Sequence, residues 1–123
     1  MTALAYLEFD YHEDGAGVGS FEAMASVWPP QLPALLAEIT EVLDWAHAGF
    51  HGDRGPVEEG HDWDYELQGS QEVTAPQTLH YDQARGRLEL SLGPAGAPRH
   101  TLTLTLSGSP AFCEAFRQRF GID

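Results

Sequence analysis

The sequence contains no lysine. All six cationic residues are arginines, set against 19 acids, and the formal net charge is −13. A Schiff base, a P-loop and a kinase-type phosphate clamp each require an ammonium group at a fixed place, so those chemistries are excluded. Basic surface is equally short. Arg85 with Arg87 and Arg117 with Arg119 are isolated pairs in an acidic chain, too few for the counterion release that binds nucleic acid or an anionic membrane, and neither partner is expected. Such a field attracts cations and basic proteins or peptides, and raises their encounter rate.

Cysteine is nearly absent as well. With Cys113 alone, no intrachain disulfide and no cysteine-based zinc cluster can form, and a reducing, cytoplasmic setting is expected. Met1 to Asp10 has no basic n-region, and Glu8 and Asp10 interrupt its apolar stretch, so no signal peptide is expected there. No apolar run reaches membrane-spanning length. Leu, Ile, Val and Phe together supply 27 of the 123 residues, just above the ~20% floor below which a highly charged chain tends not to fold. The chain is short of the ~150 residues of a typical domain, and a single α+β domain over 1–123 is expected.

The apolar pattern fits that class. Ala3 to Tyr11 alternates as a half-buried strand, a glycine-rich turn follows, and Phe21, Ala23, Ala25 and Val27 resume the two-residue period. From Leu32 to Ala48, Leu35, Leu36, Ile39, Val42, Leu43 and Ala46 fall within an arc of roughly 120° on a helical wheel, the width of a core-facing stripe. Four more strands are predicted, over His61–Gln68, Thr78–Asp82, Arg87–Leu92 and His100–Ser107. Ser109 as N-cap and Pro110 at the first helical position open a last helix, with Phe112, Phe116 and Phe120 four residues apart until Gly121. The order ββαββββα, with short turns at Gln83–Gly86 and Gly93–Pro98, predicts a single antiparallel sheet of about six strands with both helices packed on one face.

No motif names a reaction. Gly15, Gly17 and Gly19 join two strands where a phosphate cradle would open a helix, and there is no Gly-x-Ser-x-Gly elbow, so no catalytic residue and no cofactor is assigned. His47, His51 and His61, with Asp53 and Glu58 nearby, gather around a stretch from Gly49 to Gly60 that is long for a connection in a compact domain. Gly49 interrupts the helical spacing that would align His47 with His51, and no metal site is assigned either. Cys113 lies beside the phenylalanine stripe and reads as a small buried hydrophobe.

Surface chemistry therefore carries the functional expectation. In one six-stranded sheet the outward face would hold Glu8, Asp10, Glu22, Asp62, Asp64, Glu66, Asp82 and Glu89 against Arg87. Directly opposed like charges cost up to about 1 kcal/mol per pair, which a basic partner would relieve. Asp62, Asp64 and Glu66 are its densest run. Trp45 projects on the wheel opposite the apolar arc, beside Glu38 and Glu41, and a tryptophan so placed either lies under its own chain or waits for a partner. The leading expectation is a small, non-enzymatic interaction protein docking a basic protein or peptide. Asp62, Asp64 and Glu66 are its docking run, and Trp45 is an interface or homodimer anchor rimmed by Glu38 and Glu41. The alternative is a small-molecule or metal-binding domain, enzymatic or not, with its site between the 49–60 loop and the aromatic strand 61–67.

Overall fold

The computed structural model describes residues 4–50 and 54–122. Among them, the chain forms β1 (Asp10–Glu13), β2 (Gly19–Val27), α1 (Leu32–Gly49), β3 (Trp63–Glu72), β4 (Gln77–Asp82), β5 (Arg87–Leu92), β6 (Arg99–Gly108) and α2 (Pro110–Phe120). The class is α+β, as expected. The sheet differs. Strands β1-β2-β6-β3 form one antiparallel sheet, while β4 and β5 pair only with each other.

The helices follow from local signals. Pro33 sits in the first turn of α1, where its missing N–H costs nothing, and Leu35, Ile39, Val42 and Ala46 turn inward. The helix includes Gly49 and closes on the Phe50 N–H, which donates to the Ala46 carbonyl at 2.9 Å. Ser109 caps α2 by accepting the Phe112 N–H at 3.3 Å, and Gly121 ends it in the left-handed region at φ 67°. The inward faces of both helices join Phe21, Ala23, Ala25, Val27, Leu104, Leu106 and Trp63 in one core. Both helices therefore cover the same face of the four-stranded sheet.

The first strand is shorter than its alternation predicts. Residues 4–9 are not paired in a sheet; instead the Glu38 carboxylate of α1 accepts the N–H groups of Ala5, Tyr6 and Leu7 at 2.6–3.1 Å. A side chain here supplies the hydrogen bonds that a neighbouring strand would otherwise have supplied. Leu7 is buried beneath, and Phe9 meets Phe116 edge-on at 5.2 Å.

The six-stranded sheet fails at the joints between β3 and β4 and between β5 and β6. Residues 73–76 contain no glycine and end in Pro76, and they do not reverse the chain. Residues 93–98 run on likewise: the Gly93 N–H donates to the Pro76 carbonyl and the Gly96 N–H to the Thr74 carbonyl, both at 2.8 Å. Glu72 pairs Arg99 before the joint and Gln77 pairs Leu92 after it, so the second strand carries two extra residues, a bulge. β3 with β4 and β5 with β6 thus make one long ribbon, whose outer half extends beyond the sheet as a two-stranded arm. Its turn closes where Asp82 accepts the Arg85 N–H at 3.2 Å and Gly86 takes φ 63°.

Candidate functional site

The face of the four-stranded sheet that carries no helix is polar, because its strands alternate. With Phe21, Ala23, Ala25 and Val27 buried, Ser20, Glu22, Met24 and Ser26 point the other way. Register then sets side chains in rows across the sheet. One row reads Asp10, Glu22, Thr105, Glu66, and the next His12, Ser20, Ser107, Asp64. Asp10 and Glu22 are directly opposed. With Glu8 and Met24 they line a shallow depression of about 370 Å³. Among the described residues, none of Glu8, Asp10 and Glu22 has an ion-pair partner within 4.0 Å.

The eight acids expected on one outward face are divided by the fold. Asp82 and Glu89 belong to the arm, paired there with Arg85 at 3.7 Å and Arg87 at 3.6 Å. Glu8 precedes β1, and Asp62 lies just before β3. Of the expected docking run, Asp62 Oδ1 accepts the Ser109 hydroxyl at 3.2 Å and its carbonyl accepts the Ser109 N–H at 2.8 Å, tying the start of β3 to the cap of α2. Asp64 accepts the Tyr65 N–H and pairs with Arg54 at 3.0 Å. Glu66 accepts a hydrogen bond from Gln68 at 3.0 Å and is exposed. Two of the three carboxylates are thus engaged in holding the chain together.

Trp45 lies against its own chain. Its ring meets Phe50, Phe112, Phe116 and Phe120 at centroid distances of 5.5–6.1 Å, covered by α2. The two residues expected to rim it are also occupied, Glu38 by the Ala5–Leu7 backbone and Glu41 by Arg119 at 3.4 Å. Of the two expectations for this ring, the geometry is that of the intramolecular one.

The alternative region is only partly described, since His51 and Asp53 lie outside the described residues. His47 packs against Trp63 at 5.0 Å, and His61 lies over Gly55, where an added Cβ would meet its ring at 2.5 Å. The Gly55 N–H donates to the Trp63 carbonyl at 2.9 Å. Beside it, the Arg54 guanidinium covers the Tyr65 ring at 4.4 Å. Among the described residues no group of three or more His, Cys, Asp or Glu converges as a metal site. Cys113 is buried, its thiol donates to the Gly108 carbonyl at 3.4 Å, and burial pushes its pKa up.

Sequence reasoning placed Asp10 and Glu22 on the outward face but gave weight to the denser run at 62–66. The signal it lacked was register: only the β1–β2 pairing sets Asp10 against Glu22. No helix among the described residues is long and apolar enough to cross a membrane. Comparison with protein-family models, with curated proteins and with solved structures finds no match to this chain.

Proposed function

We propose that the chain is a non-enzymatic interaction protein that receives a basic polypeptide on the helix-free face of its sheet, centred on Glu8, Asp10 and Glu22. The observation that carries this reading is the depression these three carboxylates share with Met24, in which Asp10 and Glu22 stand opposed with no ion-pair partner among the described residues. An arginine or lysine entering there relieves a like-charge pair and lays its aliphatic stem along the Met24 side chain. The net charge of −13 steers such a partner from a distance, and the three carboxylates set where it lands.

Global charge alone also attracts polycations, so the test compares two variants of equal charge. One carries Glu8→Gln, Asp10→Asn and Glu22→Gln; the other carries Glu58→Gln, Glu59→Gln and Glu114→Gln, all exposed and outside this face. Binding of an arginine-rich peptide is titrated at low and at moderate salt. The first variant is expected to lose about tenfold or more in affinity relative to the second, and wild-type binding to weaken as salt rises. Equal losses in the two variants would reduce the effect to net charge and sink the reading.

A further inference from the structure

The β4–β5 arm presents one apolar face that lies mostly in solvent. Register pairs Leu79 with Leu90, Tyr81 with Leu88 and Gln77 with Leu92, while Thr78, Ser91, His80, Glu89, Asp82 and Arg87 occupy the other face. Leu79, Tyr81, Leu88, Leu90 and Leu92 are 58–69% exposed. At the arm's root Val73 is half exposed as well. A free two-stranded hairpin is marginal in water, and stability requires that its apolar face be covered. Along the inner half of the same ribbon, α1 and α2 supply that cover over Trp63, Leu104 and Leu106. Among the described residues the chain has no third α-helix to cover the outer half.

We infer that the cover is a second copy of this chain, with two arms packed apolar face to apolar face about a two-fold axis. Charge is the first argument. The arm from Gln77 to Leu92 holds two arginines and two acids, paired with each other, and is formally neutral, so the whole excess of −13 resides elsewhere. Copies this acidic repel over most of their surface, and the arm is where they can meet. Six strand residues span about 20 Å, whereas the Debye length at physiological ionic strength is about 8 Å, so crossed arms hold the acidic bodies beyond the range of strong repulsion.

Area is the second argument. Five side chains of this size, more than half exposed, offer on the order of 100 Å² each, or about 1,000 Å² for the pair of arms, the lower bound of a specific interface. The patch is also self-complementary in the way an isologous contact needs. Antiparallel crossing sets the Tyr81–Leu88 end of one arm over the Gln77–Leu92 end of the other, with Leu79 and Leu90 of both at the centre.

Sedimentation velocity of the full chain over a concentration series tests this directly. The wild type is expected to shift from 13.5 kDa to twice that mass as concentration rises, without weakening as salt is added, because the interface is neutral. Leu79→Ser with Leu90→Ser is expected to weaken self-association by at least about tenfold. At a concentration where both are monomeric, its near-ultraviolet circular dichroism and melting temperature should match those of the wild type, because neither side chain belongs to the core. A second pair, Leu88→Ser with Leu92→Ser, should do the same. A wild type that remains monomeric at the highest concentration, or arm variants that dimerise as well as wild type, overturns the inference. Salt-weakened self-association would point to charge pairing between bodies and overturns it too. None of these outcomes bears on the arginine-peptide titration, which concerns the other end of the molecule's chemistry.

Discussion

Glu38 holds Leu7: its Oε1 accepts the Leu7 N–H at 3.0 Å across 31 residues of sequence, and the same carboxylate accepts from Ala5 and Tyr6. One side chain on α1 thus replaces a strand neighbour for the segment before β1. Glu38→Ala leaves several N–H groups with water as their only partner and frees Leu7 from its place in the core. The expected loss is about 2 kcal/mol in urea unfolding, the scale of hydrogen bonds to a charged acceptor. Glu38→Gln retains one acceptor oxygen and should lose less. Hydrogen exchange at Ala5, Tyr6 and Leu7 should quicken in both. Unchanged exchange would show that the contact does not anchor the segment.

Trp45→Ala should cost about 2–3 kcal/mol, because the ring contacts three phenylalanines of α2 and also Phe50. Trp45→Phe should recover part of that, since it keeps an aromatic face toward Phe116. Neither should change the sedimentation of folded protein. A mutant with wild-type stability but altered self-association would restore Trp45 as an interface anchor.

What was legible in the sequence, and what was not, divides by the range of the interaction that decides it. Ser109–Pro110, Pro33 and Gly121 act within a turn of the helices they bound, and both helices lie where those residues put them. Alternation in Leu79–Tyr81 and Leu88–Leu92 reports that one face of each strand is apolar, but not what covers it. The arm therefore reads like any core hairpin. The distinguishing signal is slight: residues 73–76 offer no glycine for a reversal. At the candidate face, alternation assigned Asp10 and Glu22 to the right side. The partners that engage Asp62, Asp64 and Trp45 are Ser109, Arg54 and the α2 phenylalanines, at separations up to 75 residues, and nothing local announces them.

Gly19→Ala tests the tightest approach of β2 to its neighbours. A Cβ there would stand 2.6 Å from Tyr11 Cε1 and 2.8 Å from Cys113 Sγ. Tyr11 cannot swing aside freely, because it stacks on Phe21 at 4.6 Å. The expected cost is about 1–3 kcal/mol, that of overpacking a filled site. Removing the sulfur with Cys113→Ala opens room on one side, so the double variant should lose less than the sum of the two single ones. Strict additivity would show that the sulfur is not what Gly19 accommodates.

Alkaline pH should find Tyr11 before it unfolds the core. Its hydroxyl donates to Glu13 Oε2 at 2.5 Å, a bond that ionisation would forfeit. That bond, then burial and the negative charge of neighbouring groups, pushes its pKa from 10.0 up to about 12. The phenol is neutral when protonated, so a raised folded-state pKa means the unfolded chain gives up this proton first. Stability from Tyr11 is therefore fully present below pH 10 and is lost as pH rises through about 12. The buried Cys113 thiol, also raised above its ordinary 9.0, acts with the same sign. Absorbance at about 295 nm, where tyrosinate absorbs, should resolve one late-titrating tyrosine in the folded protein. Glu13→Gln removes the carboxylate acceptor and its charge together, so that step should move down toward 10 and the loss of stability that Tyr11 causes between pH 10 and 12 should shrink. If the late step stays near 12 in Glu13→Gln, burial and not the Glu13 hydrogen bond governs it.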